Sequence, residues 1–332
     1  MTMKKILLIN TGGTFSSRPR ECGLSPELTS GDICALLGGV DSALSIEAED
    51  YCSLDSSNIT PDDWCRLALR IGEKADSFDG VVLIHGTDTM AYTSSMLSFM
   101  LRNIPIPVVV TGSQVPLGVP MSDAADNLRC ALQMAASGYG GVFVAFDRKI
   151  MLGCRTSKVR TASFNAFESI NYPCIGEVNA FGLQLRLKQP PAGLPFQVQV
   201  KYSDRIAVLK LFPGMNPDMI RCLQERGCEG IYIEGFGLGG VPFLKNDFTA
   251  EIRRASQSGL PVLVGSQCRY EGSSLNVYET GRKILECGGI PVHDMTCEAV
   301  VTKLMWGLGQ TKKREAIRQL FWQNIVQEVS FS

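Results

Sequence analysis

The feature that most constrains the fold of this chain is a series of short, continuous runs of β-branched and other apolar residues set between stretches of helical character. The runs cover residues 6–9, 81–84, 108–110, 142–146, 206–211, 231–233 and 262–264. A strand with one face in water alternates apolar and polar residues. Runs without alternation suit strands covered on both faces, as in a parallel or mixed sheet flanked by helices. Helices are expected over 61–74, 91–102, 122–136, 217–226, 247–259, 298–309 and 313–328. The first of these follows Thr60 and carries Asp63 at its third position, a relative of the capping box. The fold class is therefore α/β.

At 332 residues the chain is long enough for two domains. Neither helical nor strand periodicity persists where Pro190, Pro191, Gly193 and Pro195 cluster, and each proline removes a backbone donor. The boundary is placed there, with an N-terminal α/β catalytic domain over 1–186, a linker over 187–203 and a C-terminal α/β domain over 204–332. No internal repeat or low-complexity tract interrupts either part.

Charge and composition exclude several function classes. The net charge is −1 and no block of five or more like charges occurs, so the electrostatic footprint of a nucleic-acid or membrane-surface binder is missing. Lys312, Lys313 and Arg314 read as solvated helix surface. The first ten residues lack a signal-peptide apolar core, and no apolar stretch approaches the ~20 residues of a membrane span. The expected location is cytoplasmic, with no nucleic-acid and no membrane partner. Twelve cysteines are scattered without a CxxC pair and read as reduced thiols. The two histidines, His85 and His293, are too few for a multi-histidine metal site and leave little for a Ser-His-Asp triad. A general base in this chain is lysine, tyrosine or carboxylate.

Three apolar runs end in polar, glycine-containing turns: Thr11-Gly12-Gly13-Thr14, His85-Gly86-Thr87-Asp88-Thr89 and Thr111-Gly112-Ser113. Ligands of open α/β sheets gather beyond the carboxyl ends of the strands, so three such turns are placed to share one rim. Glycine lets the backbone approach a ligand, and threonine brings a hydroxyl that donates, accepts or attacks. Taken singly, each turn is equally a plain turn with an N-capping Thr or Asp. A phosphate loop is a further alternative, although neither the Walker spacing nor the GxGxxG fingerprint follows the first strand. Thr87 beside Asp88 pairs a hydroxyl with a carboxylate, and Lys158, in Cys154-Arg155-Thr156-Ser157-Lys158, is the lysine that completes such a set. Asp55-Ser56-Ser57 reads, alone, as a loop before a helix.

Together, the ordered motifs TGGT, DSS, HGTDTM, TGS and TSK resemble the type I L-asparaginases of bacteria and archaea. So do MLGCRTSK, NAFESINYP, EGFGLGG and DMTCEAVVTKLMWGLGQT, and the resemblance covers essentially the whole chain. It implies a two-domain asparaginase-like fold, with a larger N-terminal mixed sheet flanked by helices and a smaller C-terminal parallel sheet. It also implies a homo-oligomer, dimer or tetramer, and a chemistry that needs no metal and no cofactor.

By the same resemblance, Thr14 is the nucleophile toward the side-chain amide of L-asparagine, and Thr87, Asp88 and Lys158 activate one or both steps. Asp55, Ser56, Ser57, Gly86 and Asp88 are the substrate-binding residues. One departure stands out: the family carries a tyrosine about ten residues after TGGT, whereas this chain has Leu24, which cannot accept a proton. The rival readings are a glutaminase-type or other amidohydrolase, an amidotransferase component acting on transfer-RNA-linked glutamate, and a catalytically weak amino-acid sensor. The amidotransferase reading calls for a further N-terminal domain and a basic face, neither of which is expected here.

Overall fold

The computed structural model describes residues 3–20, 23–26, 28–36, 43–186 and 194–331, with the side chains of 18–20, 23–26 and 36 outside that description. It separates into two compact units, Met1–Val200 and Lys201–Ser332. Of the expected linker, residues 187–193 lie outside the described residues. Gln197–Val198 pairs antiparallel with Leu101–Arg102 and so belongs to the first unit.

Among the described residues of the first unit, eight strands form one sheet. Their order is Gly182–Leu185, Gly176–Asn179, Lys149–Leu152, Gly141–Phe146, Pro107–Thr111, Gly80–Ile84, Lys4–Gly12 and Leu44–Leu54. The last five run parallel to one another. The remaining pairings are antiparallel, which makes the sheet mixed. Ile6 to Ile9, Val81 to Ile84 and Val108 to Val110 are all 0% exposed, which explains why these strands read as unbroken apolar runs.

Numbered along the chain, the five parallel strands lie in the spatial order 2-1-3-4-5. The order reverses between Lys4–Gly12 and Gly80–Ile84. Chain leaving neighbouring strands at such a point departs in opposite directions and opens a crevice beyond their carboxyl ends.

Local sequence sets the helix boundaries. Pro61–Lys74 starts where expected, and the Asp63 carboxylate accepts from both the backbone N–H (2.8 Å) and the hydroxyl (2.7 Å) of Thr60. Burial raises the Asp63 pKa, but these bonds and Arg66 outweigh it and leave the carboxyl below its ordinary value. The helix expected over 91–102 stops at Met100: Leu101–Arg102 turns into a ribbon strand and Asn103 takes a left-handed φ of 60°. The strand Leu44–Leu54 escapes the apolar pattern because it is an edge strand and carries Ser45, Glu47, Glu49 and Asp50. The short antiparallel strands of the first unit and the helices Ser30–Leu36 and Glu279–Glu286 were not among the expected elements; the last is amphipathic but only eight residues long.

The second unit holds four parallel strands in the order Ile206–Lys210, Gly230–Gly235, Val262–Ser266 and Ile290–Pro291. Ile231, Ile233, Val262 and Val264 pack into one apolar cluster with Ile220, Phe248 and Ile252. Tyr232 and Leu263, on the opposite face, pack into another with Val300, Leu304 and Phe321. Among the described residues, no helix is long and apolar enough to cross a membrane.

The final helix is shorter than the expected 313–328. It spans Arg314–Phe321, and the chain then folds back so that Glu328 is fully buried. The Glu328 carboxylate accepts from the buried Lys303 ammonium and from the backbone N–H groups of Ile325 and Val326. Two charges buried together are tolerated only while both remain paired. Glu328→Gln should therefore lower stability by about 3–5 kcal/mol, whereas Lys303→Met/Glu328→Gln, which keeps an acceptor for the Ile325 and Val326 N–H groups, should recover part of that loss. Urea unfolding midpoints of the two variants measure the difference.

Candidate active site

The turn after Lys4–Gly12 is held from inside by Asn10, which is buried. Its Oδ1 accepts from Gly12 N–H (3.1 Å) and from the Ser16 hydroxyl (2.8 Å), while its Nδ2 donates to Leu28 O and Asp50 Oδ1. Thr11 Oγ1 donates to Ile84 O at 2.8 Å, tying this turn to the neighbouring strand. Gly13 sits at φ 75°, ψ −174°, a conformation essentially closed to residues with a Cβ, and Thr14 opens a single 3-10 turn directly after it.

The three turns lie backbone against backbone. A Cβ on Gly13 would come 2.3 Å from Gly86 Cα, one on Gly86 would come 2.6 Å from Ser56 Oγ, and one on Gly112 would come 2.3 Å from His85 O. Each glycine is where another turn needs its space. Among the expected residues, Thr14, Asp55, Ser56, Ser57, Gly86, Thr87 and Asp88 thus fall on adjoining turns at the crevice where strand order reverses.

Asp55 caps the short turn Ser56–Asn58, its Oδ1 accepting from Ser57 N–H (2.8 Å) and the Ser57 hydroxyl (2.6 Å). These two bonds, against the opposing effect of burial, hold its carboxyl below the ordinary value. The buried Ser56 joins this turn to the next: its Oγ accepts from Asp88 N–H at 3.2 Å and its carbonyl from the Thr89 hydroxyl at 2.7 Å.

Lys158 ends the strand Thr156–Lys158, which pairs antiparallel with Phe167–Ser169. Its Nζ donates to Thr87 Oγ1 at 2.8 Å and to Asp88 Oδ1 at 2.6 Å. The lysine side chain is 18% exposed and that of Asp88 63%. An ion pair with one partner so open contributes little to stability. Its chemistry is that of a cation held against a hydroxyl, with a carboxylate turned toward solvent. Leu24 lies on the strand Gly23–Pro26, whose side chains are outside the described residues.

Beneath the second turn, His85 is fully buried. Its Nδ1 lies 2.7 Å from Gly86 O, which can only accept, so Nδ1 carries the proton and Nε2 is an acceptor. Thr93 Oγ1, 2.9 Å away, must then donate to Nε2, and it accepts in turn from Trp64 Nε1 at 2.8 Å. Burial lowers the His85 pKa to about 4, the bond to Gly86 opposing the shift only in part.

Sequence reasoning missed Asn10, Gln114, Asp123 and Asn127, which brace the turns from behind. The Asp123 carboxylate accepts from the backbone N–H groups of Gln114 (3.1 Å) and Val115 (3.0 Å), and Asn127 Nδ2 donates to Gly112 O at 3.0 Å. Asn10 and Gln114 directly flank their turns, whereas Asp123 and Asn127 stand 10 and 14 residues beyond Ser113. Bracing and surface polar residues look alike at that level.

Two outcomes follow from this geometry. Gly13→Ala carries a left-handed φ penalty of about 1–2 kcal/mol, and it also presses against Gly86. Any ligand-dependent activity should fall by about 100-fold or more, since displacing the turn by ~1 Å is enough for that. Kinetics on the folded variant test this. His85 accounts for a pH effect. Its ordinary pKa of 6.5 falls to about 4 on folding, so its neutral form contributes no penalty above pH 6.5 and stability is lost as pH drops from 6.5 toward 4. Between pH 7 and 5 the loss is about 2 kcal/mol, and His85→Gln should remove that part of the pH dependence in unfolding titrations.

Comparison with known proteins places this geometry. The family model described as "Asparaginase, N-terminal" matches residues 5–192, and that described as "Glutaminase/Asparaginase C-terminal domain" matches residues 205–321. The L-asparaginase of Thermococcus kodakarensis is 42% identical over 99% of this chain and 100% of its own length, and its solved structure superposes with a TM-score of 0.94. L-asparaginase I from Vibrio cholerae is 31% identical over 99% of both chains, with a TM-score of 0.89. A component of the glutamyl-tRNA(Gln) amidotransferase of Pyrococcus abyssi is 35% identical over 99% of this chain, and the match spans 77% of that protein. The chain belongs to the asparaginase family.

Proposed function

We propose that this chain is an L-asparagine amidohydrolase, releasing L-aspartate and ammonia through an acyl-enzyme on Thr14. The observation that carries the reading is the contact of Lys158 with both Thr87 and Asp88, on the turn that packs against the Thr14 turn. A hydroxyl is a poor nucleophile until a nearby base takes its proton, and the Thr87–Lys158 pair is the proton carrier on this rim.

In the first step Thr14 Oγ bonds to the side-chain amide carbon, and its proton passes by way of the Thr87 hydroxyl to Lys158 in its neutral amine form, the form with a lone pair to accept it. The C–N bond then breaks and that proton leaves with the amide nitrogen as ammonia. In the second step water adds to the acyl carbon, the Thr14 ester bond breaks, and aspartate departs with the Thr14 hydroxyl restored. Backbone N–H groups near Thr14 and Thr87 are the candidate oxyanion donors, each worth about 3–4 kcal/mol where such donors have been measured. The open Asp88 carboxylate suits the substrate ammonium, and Asp55, Ser56, Ser57 and Gly86 complete the clamp.

Keeping Thr14, Thr87, Asp88 and Lys158 together argues against a catalytically silent binding protein. Glutamine is the nearest competing substrate, since one methylene in a pocket discriminates by only about 1–3 kcal/mol. A homo-oligomer, dimer or tetramer, completes the reading. It is supported by the exposed apolar side chains of Leu244 and Tyr278, which line one recess of the second unit. The thiol-rich composition suits the reducing cytoplasm.

Ammonia release from L-asparagine, with L-glutamine run alongside, tests the function. Thr14→Ala and Lys158→Met should each lower turnover by about a thousandfold with the fold intact. Near-normal activity in either variant overturns its role. Absence of release from both amides with wild-type protein overturns the substrate assignment.

A further inference from the structure

Among the described residues, the Thr87 hydroxyl has two hydrogen-bond partners, Lys158 Nζ at 2.8 Å and Gln114 Oε1 at 3.4 Å. The orientation of the Gln114 amide is dictated by what lies at its other end. Its Nε2 faces Thr161 O at 3.0 Å and Ser163 O at 3.2 Å, and both carbonyls can only accept. The nitrogen must stand there and the oxygen toward Thr87, because a flipped amide would set oxygen against oxygen. An ammonium at Lys158 can only donate. The Thr87 proton therefore points at Gln114 and a Thr87 lone pair points at Lys158.

The glutamine is itself held. Its backbone N–H donates to both oxygens of Asp123 at 3.1 Å, and Asp123 also accepts from Asn127 Nδ2 at 3.0 Å. Asn127 Oδ1 accepts from Asp147 N–H at 3.0 Å, which joins this brace to the end of the next strand. Residues 159–166 link Lys158 to the partner strand of its hairpin, and the two carbonyls that Gln114 grips lie within that link.

We propose that Gln114 is a positioning residue for the amidohydrolase reaction. It holds the Thr87 hydroxyl while Lys158 is an ammonium and ties the segment beyond Lys158 to the same turn, so that hydroxyl and lysine stay aligned for the transfer that a neutral Lys158 amine accepts. The inference rests on the proposed Thr87–Lys158 proton carrier. Gln114 touches no reacting atom and acts only through Thr87 and the Lys158 hairpin.

The test is a double-mutant cycle on ammonia release, with kcat and KM measured separately. Gln114→Met should lower kcat by about 10- to 100-fold, the scale of a misaligned catalytic group, and leave KM within about twofold. Thr87→Ala/Gln114→Met should be no more than about twofold slower than Thr87→Ala, because the Thr87–Lys158 alignment that both contacts of the glutamine serve is already lost. A general structural role would instead multiply the two losses.

Gln114→Glu keeps an acceptor but sets a carboxylate oxygen against the Thr161 and Ser163 carbonyls, so its kcat should fall at least as far as that of the methionine variant. It also serves as the working variant if Gln114→Met fails to fold. Wild-type kcat in Gln114→Met, or in Gln114→Glu when only that variant folds, overturns the proposal, as do multiplied losses in the double variant. If Lys158→Met is fully active, the underlying proton-carrier reading falls. If Lys158→Met and Thr87→Ala are slow while Gln114→Met is not, only the role of Gln114 falls.

Discussion

The site depends on the close packing of Gly13 against Gly86. With 2.3 Å between a notional Cβ on the first and Cα of the second, no side chain of any size fits between the turns that end the first and third parallel strands. That approach brings the turn that carries Thr14 against the turn that carries Thr87. It sits where the strand order reverses, so the fold delivers two turns to one crevice and glycine lets them meet. Gly86 against Ser56 and Gly112 against His85 extend the same packing to the second and fourth strands.

Polar groups around this contact divide by burial. Behind it, Asn10, His85, Thr93, Asn127 and Ser56 are buried; all but Thr93 bond a backbone atom of a turn through the side chain, and Thr93 braces His85. Buried groups of this kind define a single arrangement, since an unmade bond there costs about 1–3 kcal/mol. In front, Lys158 and Asp88 are partly open, and their pairing stabilises the fold very little. The charged residues can therefore serve a reaction while the neutral network keeps them in place.

Much of the fold was legible in the sequence because strands buried on both faces leave an unmistakable apolar run. Residues 6–9, 81–84 and 108–110 are of this type. Leu44–Leu54 was not legible, since an edge strand with three carboxylates carries no such signature. The end of the last helix was misjudged because its amphipathic pattern continues past Phe321, and the buried Lys303–Glu328 pair that redirects the tail joins residues 25 apart. At the site, the motif residues were legible through their order along the chain. Gln114, Asp123 and Asn127 were not, because what distinguishes them is the direction of an amide or a carboxylate, and that exists only once distant strands are adjacent.

The polar ends of these strands carry a consequence for how the sheet finds its alignment. A strand with one wet face resists slipping by a residue, because slippage would turn its apolar side chains into water. The strands Lys4–Gly12, Gly80–Ile84 and Pro107–Thr111 are covered on both sides, so that safeguard is weak for them. Alignment is fixed instead at the ends. Asp79 holds Lys4 Nζ and Lys5 N–H at one end, while Thr11 Oγ1 to Ile84 O and His85 N–H to Thr111 O close the other. Two of these three fastenings lie within the turns that bear the candidate catalytic residues. In this family member the rim that carries the candidate catalytic residues also indexes the sheet, so a substitution there that alters activity is liable to shift strand alignment with it.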